Sequence, residues 1–130
     1  MTDNQTGHLV LVVEDNDKNR KLARDVLQVK GYRIMEAESA EAALERVKEQ
    51  IPDLVLMDIQ LPGMSGIQAL AHLREMPATK NIPVIAFTAS VMPQDRHQII
   101  AAGFDGFVAK PISVKEFIVT VADTIKKGRP

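Results

Sequence analysis

The sequence predicts an α/β fold in which a doubly wound sheet of five parallel strands carries helices on both faces. Two observations on the sequence lead to this fold class. Short apolar runs alternate with longer amphipathic segments five times along the 130 residues, which is the pattern of consecutive βαβ units. The clearest runs are unbroken, as in strands that are buried on both faces of a parallel sheet. Right-handed crossovers then distribute the helices over both faces.

Five apolar runs predict the strands in order. Leu9–Val13 and Leu54–Met57 are unbroken and predict strands buried on both faces. Tyr32–Ala37 is a further strand between them, and Pro83–Phe87 and Gly106–Ala109 complete the set. The runs stop at polar or charged residues, which places candidate site residues at the carboxyl ends of the strands.

Five amphipathic segments predict the helices, each with apolar residues at three- and four-residue spacing. Ser39 and the acidic stretch after the first strand supply N-caps, while Gly31 and Gly103 end two of the helices. The segments are approximately Asp17–Val29, Ser39–Gln50, Ser65–Glu75, Pro93–Ala102 and Val114–Lys127. Their expected core-facing residues include Leu22, Ala23, Leu27, Ile67, Leu70, Val114, Phe117, Ile118 and Val121.

Composition limits the classes of function. Lys and Arg number 16 against 17 Asp and Glu, and this balance gives no support for nucleic-acid binding by bulk charge. Aromatic residues make up 4%, too few for a surface that stacks single-stranded bases. The absence of Cys excludes disulfides, thiol catalysis and Cys-based metal sites. No apolar run is long enough to span a membrane and no signal peptide is visible, so we expect a cytoplasmic protein without a membrane partner.

Chemically useful side chains follow four of the five strands. The first strand ends at Glu14 and Asp15, the third at Asp58, the fourth at Thr88 and the fifth at Lys110. In a doubly wound sheet these strand ends converge on one crevice. Three carboxylates in one crevice repel one another unless a cation lies among them.

This set of side chains suits a phosphoryl group beside a metal ion. Oxygen donors without His or Cys favour Mg²⁺, which takes one or two carboxylates together with waters and phosphate oxygens. Lys110 could offset the charge of the phosphoryl oxygens and Thr88 could donate a hydrogen bond to them. The remaining nucleophile is a carboxylate, most plausibly Asp58, which would form an acyl phosphate.

Four separated motifs give the sequence a family resemblance. In chain order they are Glu14-Asp15-Asn16, the ten residues MDIQLPGMSG from Met57 to Gly66, Thr88-Ala89, and Lys110-Pro111. Together they resemble the receiver domain of two-component response regulators, over essentially all of Leu9–Lys127. The resemblance implies a flavodoxin-like strand order 2-1-3-4-5 and a receiver domain at 9–127. The polar residues 1–8 are expected to form a disordered lead, and no room for an output domain is expected after the fifth helix. Stand-alone, single-domain members and the receiver modules of hybrid histidine kinases share this wording.

The resemblance also implies a role for each matched acidic position. Asp58 would accept a phosphoryl group from a phosphohistidine on a histidine kinase or a histidine phosphotransfer protein. Asp15 and Asp58 would ligate Mg²⁺ directly and Glu14 would do so through water. The backbone carbonyl of Gln60 would complete the protein ligands, and Mn²⁺ could substitute for Mg²⁺.

Further positions would respond to the phosphoryl group. By resemblance, Lys110 would pair with its oxygens, and Pro111 would follow a cis peptide that sets the loop. Thr88 would move towards the group, and Phe107 would turn inward with Thr88. The side chains expected to tune access and hydrolysis are Gln60, Ala89 and Ser90.

These expectations describe a phosphorylation-operated signalling module that acts in a phosphorelay or on a downstream protein target. Such a module catalyses its own phosphorylation and dephosphorylation and is not a turnover enzyme. Two other classes remain as alternatives. A haloacid-dehalogenase-like phosphatase needs an Asp two residues after the nucleophile, where this chain has Gln60. A flavodoxin-like FMN carrier needs a Ser-, Thr- or Gly-rich phosphate loop after the first strand, where this chain has Glu14-Asp15-Asn16-Asp17.

Overall fold

A computed structural model describes residues 7–89 and 93–128, and it has the predicted architecture. Its sheet has five parallel strands in the order β2-β1-β3-β4-β5, which confirms the expected 2-1-3-4-5 arrangement. Residues 1–6 of the expected lead and Ser90 lie outside the described residues. The strands are β1 (Leu9–Val13), β2 (Arg33–Ala37), β3 (Leu54–Asp58), β4 (Val84–Thr88) and β5 (Gly106–Ala109).

Five helices follow the strands, and side-chain caps begin three of them. Asn16, Ser39 and Ser65 each accept a hydrogen bond from the backbone N–H three residues on, which satisfies a donor that the first helical turn leaves unpaired. No helix in the described part of the chain is long and apolar enough to cross a membrane. The helices are α1 (Asp17–Val29), α2 (Ala40–Glu49), α3 (Gly66–Glu75), α4 (Pro93–Ala102) and α5 (Val114–Lys127).

The predicted strand bounds differ from the observed ones by a single residue. The backbone N–H of Tyr32 donates to the Leu27 carbonyl at 3.1 Å and closes α1, so β2 begins one residue later. Pro83 has no N–H for the ladder, and β4 starts after it. Asp58 and Thr88 continue their strands, so both side chains project from the sheet itself.

The core has two layers, one on each face of the sheet. Successive strand residues point to opposite faces, and both layers are apolar, as expected for a sheet covered on both sides. One layer joins β1, β3 and β4 to α2, α3 and α4 through Leu11, Val13, Val55, Met57, Ala86, Val47, Leu70 and Ile99. The other joins the same strands to α1 and α5 through Val10, Val12, Leu56, Phe87, Leu27, Phe117 and Val121.

Three residues that the sequence assigned to the core are partly exposed. Leu22, Ile67 and Val114 have 39%, 37% and 44% of their surface accessible to solvent. Each residue along an α-helix is rotated by about 100° from the last. Ala23 and Leu27 therefore face the sheet while Leu22 lies at the margin of the α1 contact, and Val114 occupies the first position of α5.

Gly66 allows α3 to begin directly against the end of β3. A Cβ atom at this position would overlap the Asp58 carbonyl oxygen, and it would lie 3.0 Å from both the Asp58 carbonyl carbon and the Ile59 Cα. The Gly66 N–H donates to the Ile59 carbonyl at 3.1 Å. The neighbouring capping box, in which Ser65 and Gln68 exchange side-chain and backbone hydrogen bonds, fixes the same turn.

Replacing Gly66 by Ala is expected to destabilise the fold by about 1–3 kcal/mol, because the added methyl group meets backbone that cannot be accommodated by a rotamer change. Urea unfolding followed by circular dichroism measures the free energy of unfolding. Gly106→Ala is the matched control, since the nearest atom to its new Cβ would be the Thr124 Oγ1 at 3.6 Å. Equal stability of the two variants would contradict the close approach at Gly66.

Candidate functional site

The strand ends expected to carry the site lie side by side at one edge of the sheet. β1 is the neighbour of β3, and the register pairs Val13 with Met57. Glu14, directly after β1, therefore lies beside Asp58, the last residue of β3. Glu14 and Asp58 are almost completely buried, with 1% and 2% of their surface exposed. Asp15 follows Glu14 and is exposed.

The three carboxylates form one cluster. Glu14, Asp15 and Asp58 each place one carboxylate oxygen within 4.8 Å of the others. Backbone donors orient two of them: the Gln60 N–H donates to Asp58 Oδ1 at 2.9 Å, and the Asn16 N–H donates to Glu14 Oε2 at 3.3 Å. The two loops that follow β1 and β3 therefore fix the carboxylates that the strands deliver.

Lys110, which directly follows the edge strand β5, contacts two of these carboxylates. Its Nζ lies 2.7 Å from Glu14 Oε1 and 2.8 Å from Asp58 Oδ2. Burial alone would lower the pKa of Lys110, but the hydrogen bonds with Asp58 and Glu14 outweigh burial and raise the pKa above its usual value. One ammonium group therefore forms ion pairs with two buried carboxylates. The peptide bond from Lys110 to Pro111 is cis.

The surroundings of Glu14 favour the neutral form of its carboxyl group over the charged form. The pKa of the Glu14 carboxyl is raised from 4.5 to about 7, first because burial removes water from the charged form. A hydrogen bond with Asp58 raises the pKa further, and the hydrogen bond with Lys110 opposes both effects. The metal-free site therefore has more negative charge than Lys110 alone can compensate.

Thr88 and Phe107 lie on the β4 and β5 side of the cluster. Thr88 is buried at the end of β4, and its carbonyl accepts a hydrogen bond from the Lys110 N–H at 2.8 Å. Ala89, which follows it, is exposed. Phe107 is half-buried on β5, and the Arg96 guanidinium of α4 lies 4.9 Å from the centre of its ring. A cavity of about 240 Å³ is lined by Arg96, Phe107, Val108, Ala109, Pro111, Ser113, Glu116 and Thr120.

The structure therefore brings together the predicted residues Glu14, Asp15, Asp58, Thr88 and Lys110. Phe107 lies farther out, beside Arg96. The sequence did not single out Arg20, whose guanidinium Nη1 donates to the Glu14 carbonyl at 2.8 Å. The local pattern shows only its pairing with Asp17, whereas its other side-chain partners lie on β2 and in the loop beyond it.

The cluster fits a hard divalent cation. Its donors are carboxylate oxygens from loops and strand ends, which is the donor set that Mg²⁺ takes. Burial and the neighbouring Asp58 raise the pKa of Glu14, and a positive charge beside its carboxylate would oppose both effects. Asp15 is exposed and so leaves an open side through which water or a phosphate oxygen could complete the coordination.

The metal-free protein should become less stable as the pH rises from 4.5 to 7. Over this range the folded state holds a proton on Glu14 that the unfolded state has lost, so folding is weakened with each step in pH and levels off above 7. Glu14→Gln removes this dependence and should stabilise the metal-free protein at pH 8 by about 1–3 kcal/mol. Urea unfolding at pH 5, 6, 7 and 8 in EDTA measures the effect.

Glu75→Gln is the control for this experiment, because Glu75 is exposed on α3 and 78% of its side chain is accessible. It should leave both the stability and its pH dependence unchanged. A Glu14→Gln variant that retained the wild-type pH dependence would show that Glu14 is not the titrating group.

Comparison with known proteins identifies the family. The model of the response regulator receiver domain matches residues 10–122. The polar-differentiation response regulator DivK of Brucella ovis is 43% identical over 112 residues, which cover 86% of this chain and 91% of that protein. The resemblance to single-domain regulators is thereby confirmed.

Two solved structures share the fold along almost their whole length. A candidate response regulator from Chloroflexus aurantiacus has a TM-score of 0.89 at 29% identity, covering 93% of this chain and 99% of that one. The receiver domain of a sensor histidine kinase from Pseudomonas aeruginosa has a TM-score of 0.85 at 30% identity with the same coverage. That domain has a magnesium ion coordinated in its active site cleft.

Receiver domains of this kind are in general not turnover enzymes, and they interact with histidine kinases and with downstream targets. The cluster of Glu14, Asp15 and Asp58 at the end of the sheet agrees with membership of this family. The chain belongs to the response regulator receiver family and is a phosphorylation-based module of two-component signalling.

Proposed function

We propose that Asp58 accepts a phosphoryl group from a histidine kinase or a histidine phosphotransfer protein, and that the acyl phosphate changes the contacts of this domain with a downstream protein. One observation carries the proposal. Asp58 is buried at the end of β3, Lys110 contacts its Oδ2, and Glu14 and Asp15 lie beside it. The proposed receiver unit spans residues 9–127.

The chemistry follows from the positions of these side chains. An Asp58 oxygen attacks the phosphorus atom, the bond from phosphorus to the donor imidazole nitrogen breaks, and the electron pair stays on that nitrogen. Lys110 pairs with the phosphoryl oxygens, and Thr88 donates a hydrogen bond to one of them. Both groups come from the strands on one side of Asp58, so they approach the phosphoryl group together.

The metal ligands proposed are Asp15 and Asp58 directly, Glu14 through water, and the backbone carbonyl of Gln60. Mg²⁺, or Mn²⁺ in its place, supplies positive charge that offsets the charge of the phosphoryl oxygens. The raised pKa of Glu14 and the open side at Asp15 support this assignment. Lys110 lies between Glu14 and Asp58, and with a cation held by these carboxylates it would be within reach of a phosphoryl oxygen on Asp58.

Incubation with acetyl phosphate and Mg²⁺ should add one phosphoryl group to the wild-type protein and none to Asp58→Asn, as measured by intact mass. The amide cannot act as the nucleophile, although it is close to the carboxylate in shape. Asp53→Asn is the control, because Asp53 lies at the opposite end of β3 and accepts a hydrogen bond from the Leu9 N–H. Phosphate gain by Asp58→Asn equal to that of the wild type would refute the assignment.

The proposed response to phosphorylation involves Thr88, Phe107 and Pro111. Thr88 moves towards the phosphoryl group, and Phe107 turns inward into the space that Thr88 leaves. The cavity beside Phe107 and the Arg96 contact support a change at the surface formed by α4, β5 and α5. Such a change shifts a pre-existing equilibrium between two conformations. The proposed tuning positions are Gln60, Ala89 and Ser90, and the last of these lies outside the described residues.

Thr88→Ala should separate phosphorylation from the response. The variant should still be phosphorylated, more slowly by about 10- to 100-fold, because it loses one hydrogen bond to a charged phosphoryl oxygen. Phosphorylation should no longer change the hydrogen exchange of residues 93–110, as measured by mass spectrometry. Gln28→Ala is the control, since Gln28 is exposed near the C-terminal end of α1 and does not line the cavity beside Phe107, and it should respond as the wild type does. An unchanged response in Thr88→Ala would contradict the role of the hydroxyl.

The family assignment disfavours the two enzyme and carrier classes considered from the sequence. A phosphatase of the haloacid-dehalogenase type lacks its general acid here, because Gln60 occupies that position. An FMN site is disfavoured by the acidic loop after β1. The proposed output is a protein–protein contact without nucleic-acid or membrane binding.

A further inference from the structure

We propose that Arg20 is a positioning residue for the metal site, which orients the Glu14–Asp15 peptide and thereby the exposed carboxylate of Asp15. The proposal deepens the proposed function, because it rests on the same divalent cation site. It concerns a residue that touches neither the cation nor the phosphoryl group.

The first step is the position of the Arg20 guanidinium. Arg20 lies in the first turn of α1, and only 13% of its side chain is exposed. Its Nη1 donates to the carbonyl oxygen of Glu14 at 2.8 Å. The Glu14 N–H donates to the Ala37 carbonyl of β2 at 3.1 Å, so the Glu14 backbone is held from both sides.

The second step is the geometry of the peptide group. The Glu14 carbonyl and the Asp15 nitrogen belong to one planar unit. Holding the carbonyl oxygen therefore sets the direction of the bond that leads to the Asp15 Cα. Asp15 is exposed, so packing does not place its carboxylate, and the backbone must do so.

The third step is what holds Arg20 itself. Its Nε donates to Glu36 Oε1 at 3.2 Å, and its Nη2 donates to Asp17 Oδ1 at 2.6 Å and lies 3.5 Å from Glu38 Oε1. These partners come from β2, from the loop beyond it and from the start of α1. The planar guanidinium meets all of them at once with its fixed fork of donors, which a lysine ammonium cannot reproduce.

Arg24 provides a natural comparison within the same network. It lies one helical turn later, and its Nη1 donates to the other oxygen of the same Glu36 at 3.3 Å. Its Nε donates to Asp25 at 3.1 Å. Arg24 thus shares the ionic anchor of Arg20 without reaching the β1–α1 loop, so its removal tests the network apart from the carbonyl contact.

The experiment compares Arg20→Lys, Arg20→Ala and Arg24→Ala with the wild type. Isothermal titration calorimetry gives the Kd for Mg²⁺, and circular dichroism confirms that each variant is folded. Both Arg20 variants should raise the Kd about tenfold, as the loss of an outer-sphere orienting group commonly does. Arg24→Ala should keep the wild-type Kd. Arg20→Lys retains the positive charge, so a weaker affinity in this variant reports geometry and not charge.

A second measurement uses the metal-free protein. Hydrogen exchange of the segment 14–19 should be faster in Arg20→Lys than in Arg24→Ala, because the loop has lost its clamp. At saturating Mg²⁺ the rate of phosphorylation by acetyl phosphate should return to within about threefold of the wild-type rate, as expected for a residue that acts through ligand placement.

The outcomes separate this proposal from the proposed function. A wild-type Kd in Arg20→Lys, or an equal rise in Arg24→Ala, would overturn the role of Arg20. The affinity measurement needs no phosphoryl donor, so it decides that role even if Asp58 were not the phosphoacceptor. A wild-type protein that gained no phosphate would refute the proposed function alone.

Discussion

Two buried carboxylates share one ammonium group, and the organisation of the site depends on this constraint. Charges removed from water require compensation nearby. Glu14 and Asp58 end adjacent strands, while Lys110 reaches them from beyond the strand at the far edge of the sheet. The compensation is incomplete, as the raised pKa of Glu14 indicates. Surplus negative charge favours the binding of a cation, and without one it lowers the stability of the folded protein.

Much of the fold and of the site could be predicted because both follow from local patterns. Unbroken apolar runs specify buried parallel strands, and parallel strands bring their carboxyl ends to one edge. Residues that directly follow the runs, such as Asp58 and Lys110, are therefore placed by the sheet alone. The sequence pattern also predicted the strand order correctly through the family resemblance.

The features that escaped prediction depend on contacts between distant segments. Arg20 resembles any other charged residue of α1 until β2 and the β1–α1 loop are placed around it. Gly66 was recognised as the last residue of a family motif, but its close approach to the Asp58 backbone is visible only in the packed structure. Leu22 and Val114 were assigned to the core because periodicity identifies a helical face without showing how far the sheet extends beneath it.

α4 is held less firmly than its neighbours in the described part of the chain. Ile99 is its one buried residue there, whereas α3 and α5 bury several side chains each. Elements with few buried contacts open and shift at low cost in free energy. The contact between Arg96 and Phe107 thus joins the least anchored helix to the strand beside Lys110.

The absence of a side chain at Gly66 lets α3 pack directly against the backbone of Asp58. Because α3 abuts the backbone of Asp58 without an intervening Cβ, movement of that backbone towards α3 would meet close-packed main chain. We therefore expect a change at Asp58 to be accommodated more easily on the side of β4 and β5. An absent methyl group in one helix would in this way favour a response at the opposite side of the site.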